Sequence, residues 1–118
     1  MTSDAVNLTQ KLSTFSEHWS PKIISRFNDC DVMVVKAHGA FNWHKHDETD
    51  DFFLVLSGTL RIELRDRDVV LGPGELFVVP KGVEHRPVAD EEVHLLLIEP
   101  IGEPNTGDAA TAVSKTKI

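Results

Sequence analysis

The chain has 118 residues, of which 41% are hydrophobic and 26% charged, a balance that fits one domain with one modest core. Its net charge of −7 disfavours nucleic acid and anionic membrane surfaces as partners, since both select clustered Lys and Arg. No apolar run approaches bilayer-spanning length, the first residues (Met-Thr-Ser-Asp-Ala-Val-Asn) lack the pattern of a secretory signal, and Cys30 is the only cysteine, so a cytoplasmic protein without disulfides is expected.

Leu8, Leu12 and Phe15 are spaced four and three apart, which predicts one short amphipathic helix or turn over Asn7–Phe15. Ser20-Pro21 ends it, because the residue before a proline is pushed out of the helical region. From there to Glu99, β-rich runs alternate with Gly, Pro, Asn and Asp punctuation, as in an antiparallel sandwich or barrel. The runs predict strands at 22–26, 31–37, 41–44, 51–56, 59–64, 68–71, 76–79, 85–88 and 93–99. Ser57-Gly58, Gly72-Pro73-Gly74 and Pro80-Lys81-Gly82 supply turns. Leu60, Ile62 and Leu64 alternate with Arg61, Glu63 and Arg65, so that strand has one dry and one wet face. Phe52 to Leu56 is apolar on both faces. It calls for cover on both sides, and a homodimer is the expected cover. The chain divides into an N-terminal arm (1–21), a barrel (22–100) and a C-terminal tail (101–118). From Asn105 onward the composition reads as loose.

His44-Lys45-His46 carries the chemistry. Histidines two apart on a strand share a face, and two imidazoles on one face begin a metal site. Asp51 and His85, brought in by other strands, are candidates to complete it. Strand phase favours Asp51 over Asp50, because Asp51, Phe53 and Val55 share the inward face. Asp47, Glu48 and Asp50 read as a solvated acidic loop.

The spacings define two blocks. In the first, four residues separate Gly39 from His44, four separate His46 from Asp51, and six separate Asp51 from Gly58. In the second, five residues separate Gly74 from Pro80-Lys81-Gly82, and two more precede His85. Fifteen residues lie between Gly58 and Gly74. These blocks resemble the paired motifs of the cupin superfamily in its minimal single-domain form, over roughly Trp19 to Glu99. The wording from His44 to Gly58 is similar to small cupins grouped as mannose-6-phosphate isomerase-like. The resemblance implies an all-β fold, a cupin-type double-stranded β-helix (jelly-roll) barrel. It also implies a metal held by His44, His46, Asp51 and His85. Two departures stand out: the family usually has glutamate at the position of Asp51, and asparagine at that of Ala89.

Three imidazoles and a carboxylate suit Mn, Fe, Ni, Co, Cu or Zn, and the sequence does not choose among them. Four protein ligands leave open positions on an octahedral ion for a small-molecule ligand. His94 is expected to look into the barrel, as a weak catalytic candidate, if 89–92 forms a hairpin loop that sets it opposite Pro87. His18 and His38 sit beside turns. Trp43 should face away from the metal, and Phe41, Phe53, Leu60 and Phe77 should fill the barrel. Arg61 and Arg86 should face solvent. With an acidic loop beside the metal, this placement argues against a phosphorylated sugar, which needs cations around it. The leading function is a divalent-metal site for a small molecule inside the barrel; if the protein is an enzyme, it acts on a small carbonyl, enol or hydroxy-acid compound, as an isomerase, lyase or dioxygenase. The alternatives are a non-catalytic ligand-binding or sensing module and a sugar or sugar-phosphate isomerase.

Overall fold

The structure, a computed structural model, describes residues 4–118; the first three residues of the arm lie outside it. The predicted helix is one turn and a half, α1 (Leu8–Leu12). Asn7 caps it by accepting from the Gln10 amide at 2.9 Å, which satisfies one of the amides that a helix start leaves without a partner. No helix among the described residues is long and apolar enough to cross a membrane.

Eight strands follow: β1 (Lys22–Phe27), β2 (Cys30–Ala40), β3 (Asp51–Ser57), β4 (Leu60–Leu64), β5 (Asp68–Leu71), β6 (Leu76–Val79), β7 (His85–Pro100) and β8 (Thr116–Lys117). Apart from the parallel β1–β8 contact, the pairs are antiparallel, in the order β5-β4-β7-β2-β1-β8, with β3 joined to β6 and β7. The architecture is the cupin-type barrel expected from the sequence. Its filling comes from alternate residues: Met33 and Val35 on β2, Phe53 and Val55 on β3, Leu60 and Ile62 on β4, Val93 and Leu95 on β7. One face of each pleated strand therefore turns into the core.

Two features differ from the sequence reading. The predicted strand at 41–44 is only an anchor: Phe41 donates to the Pro87 carbonyl, and His44 and His85 exchange backbone bonds of 3.0 and 2.9 Å. The predicted strands 85–88 and 93–99 are one 16-residue strand, with no hairpin between them. Its first part pairs with β4 (Leu64 opposite His85) and its last part with β3 (Phe53 opposite Leu97). The handover falls at Asp90, Glu91 and Glu92, which are exposed. There Gly58, at φ +85°, fits against the Glu92 carbonyl so closely that a Cβ would sit 2.9 Å from it; only glycine is free of that clash and of the backbone penalty together.

The stretch from Asn105 onward, whose composition reads as loose, returns to the barrel. Thr116 and Lys117 pair with Lys22 and Ile23, Thr106 is buried, and Gly107, at φ +74°, lies directly against the Lys45 carbonyl. Composition misled because the segment is held by scattered polar contacts rather than an apolar face.

Candidate metal centre

Four side chains from three parts of the chain converge inside one end of the barrel. His85 opens β7 and points inward, and Asp51 opens β3 opposite Val79. His44 is brought in by its backbone pairing with His85. His46 is held by its carbonyl, which accepts from the Gly82 amide at 2.7 Å. The two turn motifs thus clamp each other. Asp51 is buried, while Asp50 is exposed and accepts from the Lys81 amide at 3.0 Å.

Asp51 Oδ2 is the hub. It lies 2.8 Å from His85 Nε2, 3.3 Å from His46 Nε2 and 3.9 Å from His44 Nε2. One donor atom from each of the four residues falls within 4.8 Å of every other, so the group could hold a metal ion. Donors about 2.1 Å from a common centre, as around zinc, are spaced by roughly 3 to 4 Å.

The opposite side of each ring decides what the cluster is for. His44 Nδ1 is 2.8 Å from the Asn42 carbonyl, His85 Nδ1 is 3.0 Å from the Val83 carbonyl, and His46 Nδ1 is 3.0 Å from Glu103 Oε1. Each of these oxygens can only accept, so each Nδ1 carries the ring proton. The three Nε2 atoms then present lone pairs toward a carboxylate. Buried among them, His46 Nε2 and Asp51 Oδ1 have no hydrogen-bond partner. His85 Nε2 and Asp51 Oδ2 lie within hydrogen-bond distance at 2.8 Å, and with the Nδ1 protons turned outward the four facing atoms need a positive charge at their centre, a proton or a metal ion. The residues present fit a divalent transition metal.

The ionisation of the cluster reflects the same crowding. Burial, with help from the neighbouring imidazoles and against the pull of the Asn42 carbonyl and Asp51, drives His44 down to about 4. Burial also opposes charge on His46, but Asp51 and Glu103 outweigh it and raise His46 to about 9. Asp51 is held below the usual carboxylate range: burial acts against this, and hydrogen bonds from His46 and His85 win. Without a metal, one proton sits on His46 and is shared toward Asp51.

Beside the cluster lies a cavity of about 40 Å³, room for a few waters. Its walls are apolar, from Trp19, Phe41, Phe53 and Leu97 among others; its polar groups are His44, Asp51, Glu99 and Asn105. Among the described residues, no Lys or Arg lines it. Trp19 holds φ +56° there, a conformation costly for a side chain with a Cβ, and its Nε1 donates to the His38 carbonyl at 2.9 Å.

Glu99 is a site residue that sequence reasoning passed over. It is buried, 2.8 Å from Lys115 Nζ. Burial first, then the negative charge of Asp51, push its carboxyl above the ordinary range, against the pull of Lys115. A signal was present: Glu99 falls in phase with the inward Leu95 and Leu97, so an acidic group occupies a core position. Glu103 carried no such signal, because only the fold brings it to His46.

His94 does not face the barrel. With 85–100 continuous, odd-numbered residues turn inward and His94 falls on the other face, opposite Lys36, half-exposed, with Glu92 at 3.8 Å. The hairpin assumed between the two strand halves is what misplaced it. His18 pairs with Glu92 at 3.1 Å on the surface. Trp43 packs under Arg65, whose guanidinium lies 3.7 Å from the ring centre. Arg61 and Arg86 are both engaged by Glu63 on the outer face.

Comparisons with known proteins agree with this picture. Residues 31–99 match the family described as Cupin domain. The crystal structure of a cupin-2 domain containing protein from Shewanella frigidimarina is 47% identical, with a TM-score of 0.80 over 80% of this chain and 93% of that one. A protein from Neisseria meningitidis is 34% identical, with a TM-score of 0.75 over 82% of this chain and 99% of that one. A 3-hydroxyanthranilate 3,4-dioxygenase from Brucella anthropi is 30% identical over 93 residues, which cover 70% of this chain and 50% of that protein. The chain spans about half the length of the curated relatives it matches.

Proposed function

This chain belongs to the cupin family, and from that premise we propose that it is a divalent-metal protein acting on, or binding, a small oxygen-bearing molecule inside the barrel. The ion is held by Nε2 of His44, His46 and His85 and by the Asp51 carboxylate. One observation carries the reading: three ring protons are pinned outward by Asn42, Val83 and Glu103, which leaves three lone pairs aimed at one point. Acceptors behind the rings of this kind are how metal-binding histidines are oriented and made more basic. Asp51 accounts for the usual glutamate position, since its carboxylate already reaches 2.8 Å from His85 Nε2. An ion of the Mn to Zn series, when bound, supplies Lewis acidity to a ligand oxygen.

The chain's own residues narrow the ligand. Apolar walls beside one polar end favour a small body with an oxygen-bearing head, such as a carbonyl, enol or hydroxy-acid compound. The absence of Lys and Arg from the lining argues against a phosphorylated sugar, whose charge would lack a partner. Among the lining residues Glu99 is the titratable side chain left over after the cluster, and its raised affinity for a proton suits it to exchange one with the ligand. The dioxygenase activity for which the Brucella relative is named supports an oxygen-dependent enzyme over a passive binder. A homodimer is proposed through the outer apolar face, where Phe27 is 62% and Leu76 55% exposed; sedimentation of the purified chain reads this directly.

The test of the metal reading is elemental analysis of protein purified without chelator. Wild type should carry close to one ion per chain, and His46→Ala should fall to background while keeping its circular dichroism. Equal metal in both would overturn the assignment. Oxygen uptake by iron-loaded protein with small diketones and aromatic diols then separates the oxygenase branch from isomerase and lyase branches.

A further inference from the structure

Residues 101–118 do more than cover the barrel. They are fastened at the two polar ends of the site by two charged ties. Glu103 reaches down to His46 Nδ1 at 3.0 Å, and Lys115 reaches Glu99 at 2.8 Å while also donating to the Glu103 carbonyl. Between these ties Asn105 forms part of the cavity wall and its side-chain oxygen accepts from the Val113 amide at 2.9 Å. The segment ends in the short β8, whose Thr116 amide donates to Pro21 and whose neighbour Ile118 donates to Ile23. With the segment in place the cavity is only about 40 Å³, too small for any ligand beyond a few waters. A substrate-sized molecule gains room there when a wall moves. The barrel walls are laddered strands, whereas this segment is held by two ion pairs and a two-residue strand. It is the part of the wall without a long backbone ladder.

We infer that residues 101–118 are a closure over the site, coupled to the metal through Glu103 on His46 and latched by Lys115 on Glu99. The inference rests on the metal reading above and adds how the site is gated. The physical basis is the shared ring. An ion on Nε2 draws electron density from the imidazole and strengthens the Nδ1–H bond to Glu103, and the Glu103 carboxylate in turn makes Nε2 the better ligand. Such coupling is reciprocal: whatever the closed segment adds to metal affinity, the metal adds to closure. Glu103 is thus a positioning residue, and Lys115 holds the segment that carries it.

The experiment uses the full chain and Zn²⁺ as probe, with two readouts. Zn²⁺ affinity is measured by calorimetry for wild type, Glu103→Ala, Glu103→Gln and Lys115→Met, after chelator-treated samples are shown to melt cooperatively. Backbone hydrogen exchange at Gly107, Thr116 and Ile118 is measured with and without Zn²⁺. Affinity should fall roughly ten- to a hundredfold in Glu103→Ala. It should recover in part in Glu103→Gln, whose amide oxygen still accepts, and fall several-fold in Lys115→Met, which touches no metal ligand. Zn²⁺ should slow exchange at Thr116 and Ile118 in wild type and not in Glu103→Ala. Wild-type affinity in Glu103→Ala, or exchange indifferent to Zn²⁺, overturns the coupling. A loss confined to Glu103→Ala, with Lys115→Met at wild-type affinity, overturns the closure. Folded wild type that takes up no Zn²⁺ removes the metal reading, and this inference with it.

Discussion

His85 and Arg86 are consecutive on β7 and point to opposite sides of one sheet, so each belongs to a different charged cluster. Inside, His85 meets Asp51, His44 and His46, all with side chains under 10% exposed. Outside, Arg86 meets Glu63, which also engages Arg61, which in turn reaches Asp90. The outer cluster alternates plus and minus, and its ion pairs of 2.7 to 3.3 Å are complete as they stand. The inner cluster turns its Nδ1 protons outward and, among the described residues, leaves His46 Nε2 and Asp51 Oδ1 without partners. Similar residue types at similar spacing therefore mean different things. A charge cluster that closes on itself in water needs nothing further, whereas one that is dry and unclosed is built around something it must receive.

The sharpest way to break that contrast is to remove the hub on each side. Without metal, Asp51→Ala should destabilise by about 3 kcal/mol, the low end for breaking a buried pair, because His46 can shed its proton instead of staying charged. Urea unfolding in chelator measures it. If Asp51→Ala unfolds at the wild-type midpoint, the inner cluster is no more committed than the outer one. Metal sharpens the comparison from the other direction. At a free Zn²⁺ concentration a hundred times its dissociation constant, the native state gains about 2.7 kcal/mol, a rise of roughly 10 °C in Tm for a domain of this size. Chelator should reverse it, and Glu63→Ala should leave the gain intact while Asp51→Ala removes most of it.

The two clusters also differ in how well the sequence announces them. The outer one is legible from alternation alone, since Arg61 and Glu63 alternate with Leu60, Ile62 and Leu64 in a period of two. Inside, the shared face of His44 and His46, together with the family resemblance carried by the blocks from Gly39 to Gly58 and from Gly74 to His85, pointed to the four ligand candidates, and the phase of β3 separated Asp51 from Asp50. Two things were not legible. His94 was set by the assumption that exposed Asp90, Glu91 and Glu92 make a turn. The acidic stretch is instead the solvent-facing point where one strand passes from β4 to β3, bracketed by the β2 pairs Gly39–Ala89 and Ala37–Val93 with a register shift between them. Glu103 and Lys115 were hidden because their roles come from contacts 57 and 16 residues away in sequence, within a segment whose composition resembles disorder. Local pattern reports on periodic burial; it carries no trace of a polar tie made across the mouth of a barrel.

Acidity gives a finer measure of the inner cluster. Burial holds His44 below an ordinary imidazole's 6.5, at about 4, and Asp51 and Glu103 outweigh burial to raise His46 to about 9. Between pH 4 and 6.5 the unfolded chain holds a proton at His44 that the folded chain lacks, so stability should rise with pH. Between pH 6.5 and 9 the folded chain holds a proton at His46 that the unfolded one releases, so stability should fall. Metal-free protein should therefore be most stable near pH 6.5, as read from midpoints across a pH series in chelator. Asp51→Asn should flatten the falling limb above pH 6.5, because the partner that keeps His46 charged is gone. A limb unchanged in that variant would detach His46 from Asp51.

The smallest effect belongs to the outer cluster and tests the contrast at its weak end. Glu63 and Arg86 meet at 2.7 Å, closer than His46 and Asp51 at 3.3 Å, so distance alone would rank the outer pair first. Exposure reverses the order, because water and salt screen the outer charges, and ordering two long side chains opposes the gain. A double-mutant cycle on Glu63→Ala and Arg86→Ala should give a coupling that vanishes in about 0.5 M salt, where the screening length falls to a few Å. Arg86 also rests near Trp43, its guanidinium 5.6 Å from the ring centre, so Arg86→Ala alone should lose slightly more than Glu63→Ala through contact that salt does not screen. An outer coupling that survives salt would show that the Glu63 carboxylate is held as firmly as Asp51, and burial would no longer be what separates the two faces of β7.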